Sequence, residues 1–154
     1  VPFVNIINVI SAQDMYDAVT EEAKNSDIII KAAAVADYTP LNVSDNKIKK
    51  KDGDMSIALK RTKDIIGTLG EHKKEGQFIC GFSMETENAN SKDKLIKKNM
   101  DMIVANNVKV AGAGFGTDTN VVTIITGEDN IELPMMSKED VASKILDFIM
   151  AKRR

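Results

Sequence analysis

Apolar residues recur along this chain as short, nearly continuous runs separated by stretches in which they fall every three or four positions. The runs FVNIINVI (3–10), SDIIIKAAAV (26–35), QFICGF (77–82) and MDMIVANN (100–107) are rich in branched residues and read as buried strands. Between them lie helical patterns. Ser11 is a candidate N-cap for AQDMYDAVTEEAK, whose Met15, Ala18, Val19 and Ala23 share one face. TKDIIGTLGEHKK carries Ile65, Ile66 and Leu69 on one side, and SKDKLIKKN forms another short helix. MSIALKR reads as a short additional strand. Near the end, NVVTIITGEDNIELPMM sets two strand-like runs around Gly127-Glu128-Asp129-Asn130, a hairpin signal. Ser137 then caps a helix with Val141, Ile145 and Phe148 as its packing stripe. Strand and helix alternating in this way predict an α/β fold. The expected architecture is a Rossmann-like, mostly parallel sheet with helices on both faces and a C-terminal β-hairpin. Because Val121, Val122, Ile124 and Ile125 put apolar groups on both faces of the hairpin, a surplus for dimer contact is expected there.

Composition narrows the class. The chain has 154 residues, 43% of them hydrophobic and 29% charged, which fits a single globular domain over 1–154. A net charge of -2 argues against nucleic acid as a partner, so any anion site has to come from local clusters of lysine. The lone Cys80 cannot form an internal disulfide, and no apolar run approaches the ~20 residues of a membrane helix, so a cytoplasmic, non-membrane protein is expected.

In open α/β sheets ligands lie beyond the carboxyl ends of the strands. Three such ends carry unusual chemistry here: AAAVADY with its lysine tail, CGFSMET, and VANN leading into AGAGFGTDTN. The small Ala32, Ala33, Ala34 and Ala36 admit a flat base close to the backbone, or simply tight packing. Asp37 suits ribose hydroxyls, a divalent cation or a turn cap. Lys47, Lys49, Lys50 and Lys51 follow a Pro/Asn/Ser/Asp loop and suit either a polyphosphate or plain solvated surface. Phe82 beside Gly81 offers a stacking face or a core side chain. Lys94 and Lys98 share a helical face, and Glu85 and Glu87 precede that helix. AGAGFG has the wrong glycine spacing for a dinucleotide fingerprint and leads into a hairpin rather than a helix. Asn106 and Asn107 can bond a ligand at a strand end or begin a turn. Cys80 reads as a buried hydrophobe and His72 as an exposed helix end, so no metal cluster or catalytic dyad is visible.

AAAVADY and its interval to KIKK, GFSMET, the Lys94/Lys98 pair, KNMDMIVANNV and GAGFGTDTNVVTII together resemble phosphopantothenoylcysteine synthetase, the phosphopantothenate-cysteine ligase of coenzyme A synthesis. The resemblance implies a ligase joining 4′-phosphopantothenate to L-cysteine, with CTP as co-substrate, Mg2+, and an acyl-cytidylate intermediate. It also implies a homodimer and, in bacteria, a fused decarboxylase domain that alone uses FMN. Carried over residue by residue, it makes Lys47 catalytic and assigns nucleotide contacts to Lys31, Ala32, Ala33, Ala34, Asp37, Lys47, Ile79, Cys80, Gly81, Phe82, Lys94 and Lys98. Asn106 becomes a candidate substrate contact, and Asp37 reaches a metal only through Mg2+-CTP. Thr39 stands where the family commonly has arginine, and ANN replaces AND. Family members also carry a glycine-rich strand-helix unit ahead of VPFVNII, so the chain reads as the C-terminal two-thirds of a synthetase domain. The competing readings are a Rossmann-like oxidoreductase or nucleotide-sensing module, which needs a phosphate fingerprint not seen here, and a docking fragment.

Overall fold

The structure is a computed structural model that describes residues 2–44, 46–49, 53–84, 88–107 and 118–153, with backbone alone for 88–90. Among the described residues, helices α1 (Ala12–Glu22), α2 (Ile65–Glu71), α3 (Asn88–Lys97) and α4 (Lys138–Lys152) surround strands β1 (Ile28–Lys31), β2 (Tyr38–Pro40), β3 (Leu59–Arg61), β4 (Phe78–Ser83), β5 (Met102–Asn106), β6 (Thr119–Asn120), β7 (Val122–Ile125), β8 (Asn130–Glu132) and β9 (Met136–Ser137). The main sheet runs β1-β4-β5-β7-β8. Its first three strands are parallel, and β7 and β8 join antiparallel as the expected hairpin. The α/β fold class with helices on both faces is the one expected.

Alternation along the central strands builds two cores. Ile79, Ile103, Ala105 and Ile125 point to the face covered by α2 and α3, while Phe78, Cys80, Met102, Val104, Val122 and Ile124 point to the face covered by α4. The helices begin where capping groups stop the preceding chain. Ser11 Oγ accepts the Asp14 N–H at 3.1 Å while the Asp14 carboxylate accepts the Ser11 N–H at 2.9 Å. At α2 and α4 the Asp64 and Ser137 side chains accept the Gly67 and Asp140 N–H groups as simple N-caps.

Several expectations are corrected. FVNIINVI is not a strand: residues 4–10 pair with no strand among the described residues, and Phe3 and Ile10 are fully exposed. An apolar run becomes a strand only where a neighbouring backbone accepts its hydrogen bonds, and a cavity of about 320 Å³ separates Ile7 and Val9 from α1 and β1. SDIIIKAAAV yields only β1, half-buried at the sheet edge, and the alanines follow it as irregular backbone. MSIALKR contributes only β3, which pairs antiparallel with β2 in a separate exposed ribbon. The apolar surplus of the hairpin is also absorbed internally, since Val122, Ile124 and Ile125 are 1%, 2% and 0% exposed. The AGAGFG loop, Glu85, Glu87, Lys50 and Lys51 lie outside the described residues.

Two contacts set the spacing of the layers around the parallel strands. Asp101 Oδ2 accepts the Ile79 N–H at 2.7 Å, its own N–H donates to the Ile79 carbonyl at 2.9 Å, and Lys73 Nζ lies 2.6 Å from Oδ1. Gly70 of α2 meets the chain just after α3: a Cβ there would lie 1.9 Å from the Lys98 carbonyl oxygen. Gly70→Ala therefore forces backbone apart. We expect it to lower stability by about 1–3 kcal/mol, the usual cost of overpacking, measured as an earlier urea midpoint.

Candidate functional site

The carboxyl ends of β1 and β4 open into a cavity of about 780 Å³, a volume suited to a small organic ligand. Its walls come from four places in the chain. Lys31, Ala33, Ala34 and Asp37 arrive from the end of β1 and the segment after it; Arg61 to Ile66 lead from β3 into α2; Gly81 to Met84 end β4; and Lys94 and Lys98 project from α3 and its end. Met100 and Ile103 add apolar floor. Gly81 leaves room at this floor: a Cβ there would lie 2.8 Å from both Ile66 Cδ1 and Met100 Sδ and would push those side-chain ends aside.

The segment after β1 has no regular structure, yet it is tied down. The Thr62 hydroxyl donates to the Ala36 carbonyl at 2.7 Å and the Thr62 N–H donates to the Asp37 carbonyl at 3.0 Å. These bonds hold the alanine backbone and the Asp37 carboxylate along one wall.

Positive charge dominates the lining. Lys31, Arg61, Lys63, Lys94 and Lys98 face the carboxylates Asp37 and Asp64. Asp64 Oδ2 lies 2.9 Å from Lys98 Nζ. Burial acts to raise the Asp64 pKa, but the Lys98 ion pair, the Gly67 N–H and the charge of Lys31 outweigh it and hold the carboxyl below its ordinary value. Burial, aided by repulsion from Lys98, pushes the Lys31 ammonium below its ordinary value, while Asp64 and Asp37 oppose the shift. Lys31 also donates to the Ala33 carbonyl at 3.0 Å. Lys63 Nζ sits 4.4 Å from the centroid of the Tyr16 ring, a cation-π contact that joins this wall to α1.

Of the residues singled out from sequence, Lys31, Ala33, Ala34, Asp37, Gly81, Phe82, Lys94 and Lys98 line this one cavity. Ala32 and Asn106 do not, and Lys47 stands exposed between β2 and β3, outside the lining. Ile79 and Cys80 are fully buried. The Ile79 N–H and carbonyl are both bonded to Asp101, and Cys80 points into the core beneath α4. Burial, with the nearby Asp101 charge, pushes the Cys80 thiol up to about 12, which leaves it inert as a nucleophile at neutral pH. Asn106 Oδ1 accepts from Asn120 Nδ2 at 2.9 Å and so joins the end of β5 to β6. The stretch Arg61 to Ile66 escaped the sequence reading. Its signal is a cation-rich strand end running into an aspartate cap, RTKDII, which places charge at the mouth of the cavity. No group of three or more His, Cys, Asp or Glu side chains gathers to hold a metal among the described residues.

The site is thus a cation-lined cleft at parallel strand ends, walled by an alanine segment. The family described as the DNA/pantothenate metabolism flavoprotein C-terminal domain matches residues 1–152. The chain belongs to this family. It is 53% identical over 148 residues to the coenzyme A biosynthesis bifunctional protein CoaBC of Bacillus subtilis (strain 168), a match that covers 94% of the chain and 36% of that protein. The chain thus spans about a third of the length of this relative. The crystal structure of the C-terminal domain of a coenzyme A biosynthesis bifunctional protein CoaBC aligns with a TM-score of 0.77 at 44% identity, covering 95% of the chain and 66% of the solved one. A Cab2 mutant in complex with phosphopantothenate-cysteine shares the fold, with a TM-score of 0.72 at 18% identity over 96% of the chain and 52% of its own. Among the described residues no helix is long and apolar enough to cross a membrane.

The charge balance of this cavity has a measurable consequence for folding. A lysine whose folded pKa lies below its unfolded value makes the charged native state less stable at neutral pH, and the penalty is relieved as pH rises towards the ordinary value of 10.5. Lys31→Met is expected to raise the unfolding midpoint at pH 7, with the advantage over the unsubstituted protein shrinking as the pH approaches 10. Chemical denaturation at the two pH values measures this.

Proposed function

We propose that the chain is the CTP-dependent ligase portion of a coenzyme A biosynthetic protein, joining 4′-phosphopantothenate to L-cysteine. The observation that carries the reading is the gathering of Lys31, Lys94 and Lys98 with the Ala33–Ala34 backbone and Asp37 around one cavity, in a chain 53% identical to CoaBC of Bacillus subtilis. The irregular backbone after β1 offers peptide N–H and C=O groups to the edge of a cytosine, and the lysines offer charge to the triphosphate. The substrate carboxylate attacks the α-phosphorus of CTP, forming the acyl-cytidylate and releasing pyrophosphate. The cysteine amine then attacks the acyl carbon, forming the amide, and CMP leaves. The lysines stabilise the charge that gathers on the departing pyrophosphate.

Asp37 fits Mg2+ as a single carboxylate would, since this cation is commonly held by one or two carboxylates together with substrate phosphates. Bound there, the ion would neutralise phosphate charge. Lys47 is assigned to the same triphosphate through the resemblance. It lies on the segment joining the ribbon strands, exposed and outside the cavity, so its role requires that segment to close on the nucleotide. The reading also includes a homodimer, a cytoplasmic location and, in bacterial relatives, a fused decarboxylase domain with FMN. Val43, Ile48, Met55 and Ile57, all exposed around the ribbon, offer apolar surface to a second copy.

Two measurements test the function. In parallel calorimetric titrations CTP is expected to bind more tightly than ATP, because a mismatched base leaves peptide groups of the alanine segment unpaired, at about 1–3 kcal/mol for each. Equal affinity removes the base site. Lys47→Gln preserves length and removes charge; we expect it to slow pyrophosphate release by ~100-fold or more with folding unchanged, against Lys51→Gln as control. Equal slowing by both substitutions, or by neither, reduces the arm to a diffuse positive field.

A further inference from the structure

Asp64 uses its two oxygens differently. Oδ1 accepts the Gly67 N–H at 3.0 Å and caps α2, while Oδ2 faces Lys98 Nζ at 2.9 Å on the cavity wall. The second contact is built into the fold. Gly70 lies against the Lys98 carbonyl too closely for any Cβ, and Asn99, held in left-handed backbone at φ 48°, donates from Nδ2 to the Gly70 carbonyl at 2.9 Å. These bonds set α2 and the end of α3 at one separation, and at that separation the carboxylate meets the ammonium. Lys31, on the same wall, is repelled by Lys98 and attracted by Asp64.

We propose that Asp64 is a positioning residue that holds Lys98 in the free protein as a phosphate would hold it in the complex, and that its charge restrains polyphosphate affinity. The inference deepens the nucleotide-site reading above and rests on it. A carboxylate oxygen and a phosphate oxygen are equivalent acceptors for an ammonium group. An arriving polyphosphate therefore either displaces Asp64 from Lys98 or shares Lys98 with it, at close range to a like charge. Both outcomes oppose binding. The benefit is an ammonium already aimed into the cavity, so little side-chain freedom is lost when the ligand arrives.

Asp64→Asn isolates the charge, because an asparagine oxygen still accepts the Gly67 N–H and keeps the cap. Inorganic tripolyphosphate, titrated into this chain by calorimetry at low salt without metal, is expected to bind Asp64→Asn about tenfold more tightly than the unsubstituted protein. A merely structural role predicts the opposite sign, since a disturbed wall binds less well. In the Lys98→Gln background the gain from Asp64→Asn should vanish, which ties it to the ion pair. If Asp64→Asn lowers the unfolding midpoint, Asp64→Ser, which also caps without charge, is measured in its place. Equal or weaker binding by the folded variant overturns the proposal. So does an undiminished gain without Lys98, or no tripolyphosphate binding by the unsubstituted chain. Tighter binding of tripolyphosphate together with equal affinity for CTP and ATP leaves the role of Asp64 standing and removes the cytidine reading.

Discussion

The grip of Asp101 on Ile79 governs where everything else lies. A parallel strand has no hairpin to set its register, so β4 must be aligned with β5 by contacts made elsewhere. One carboxylate does this from the turn before β5. It accepts the Ile79 N–H on one oxygen and the Lys73 ammonium on the other, while its own backbone N–H returns to the Ile79 carbonyl. With β4 and β5 aligned, Cys80 sits opposite Met102 and Phe82 opposite Val104. The odd and even residues then fall cleanly to the two cores. The far end of β4 emerges beside Lys31 of β1, and the cavity forms where those two strands stop.

The arrangement above that floor works against the preferences of its own charges. Lysines gathered in a partly enclosed cleft repel one another and lose solvation, and the lowered Lys31 pKa records both effects. Asp64 and Asp37 offset part of this, and the remainder is destabilisation that an anionic ligand would relieve. Active sites commonly hold such strain because surrounding structure over-determines them. Here the surroundings are the Gly70 contact and the Asn99 bond, away from the cavity lining, and the Thr62 bonds within its wall.

The legibility of the sequence follows the same division. The central strands, the capped helices and the hairpin were readable because burial on both faces leaves continuous apolar runs and capping leaves Ser or Asp at fixed offsets. FVNIINVI misled because periodicity records what a segment is able to bury and says nothing about whether a partner backbone lies alongside. Lys94 and Lys98 could be paired from helical spacing alone, whereas Asp64 could not be matched with Lys98, since that contact joins residues 34 apart through the fit of a glycine against a carbonyl. Ile79 and Cys80 entered the expected site through resemblance to a motif. Within the segment, Gly81 and Phe82 reach the cavity wall because they lie nearer the carboxyl end of β4, where the cavity opens.

Among the described residues the buried cover over the second core comes from α4, through Val141, Ile145 and Ile149. That helix follows every strand it covers in the chain. During synthesis Phe78, Met102, Val104, Val122 and Ile124 are all made before the helix that shelters them. Without the residues from 141 onward the apolar face of β4, β5 and β7 would lie open to solvent. The order of the elements thus leaves this face of the sheet uncovered until α4 docks.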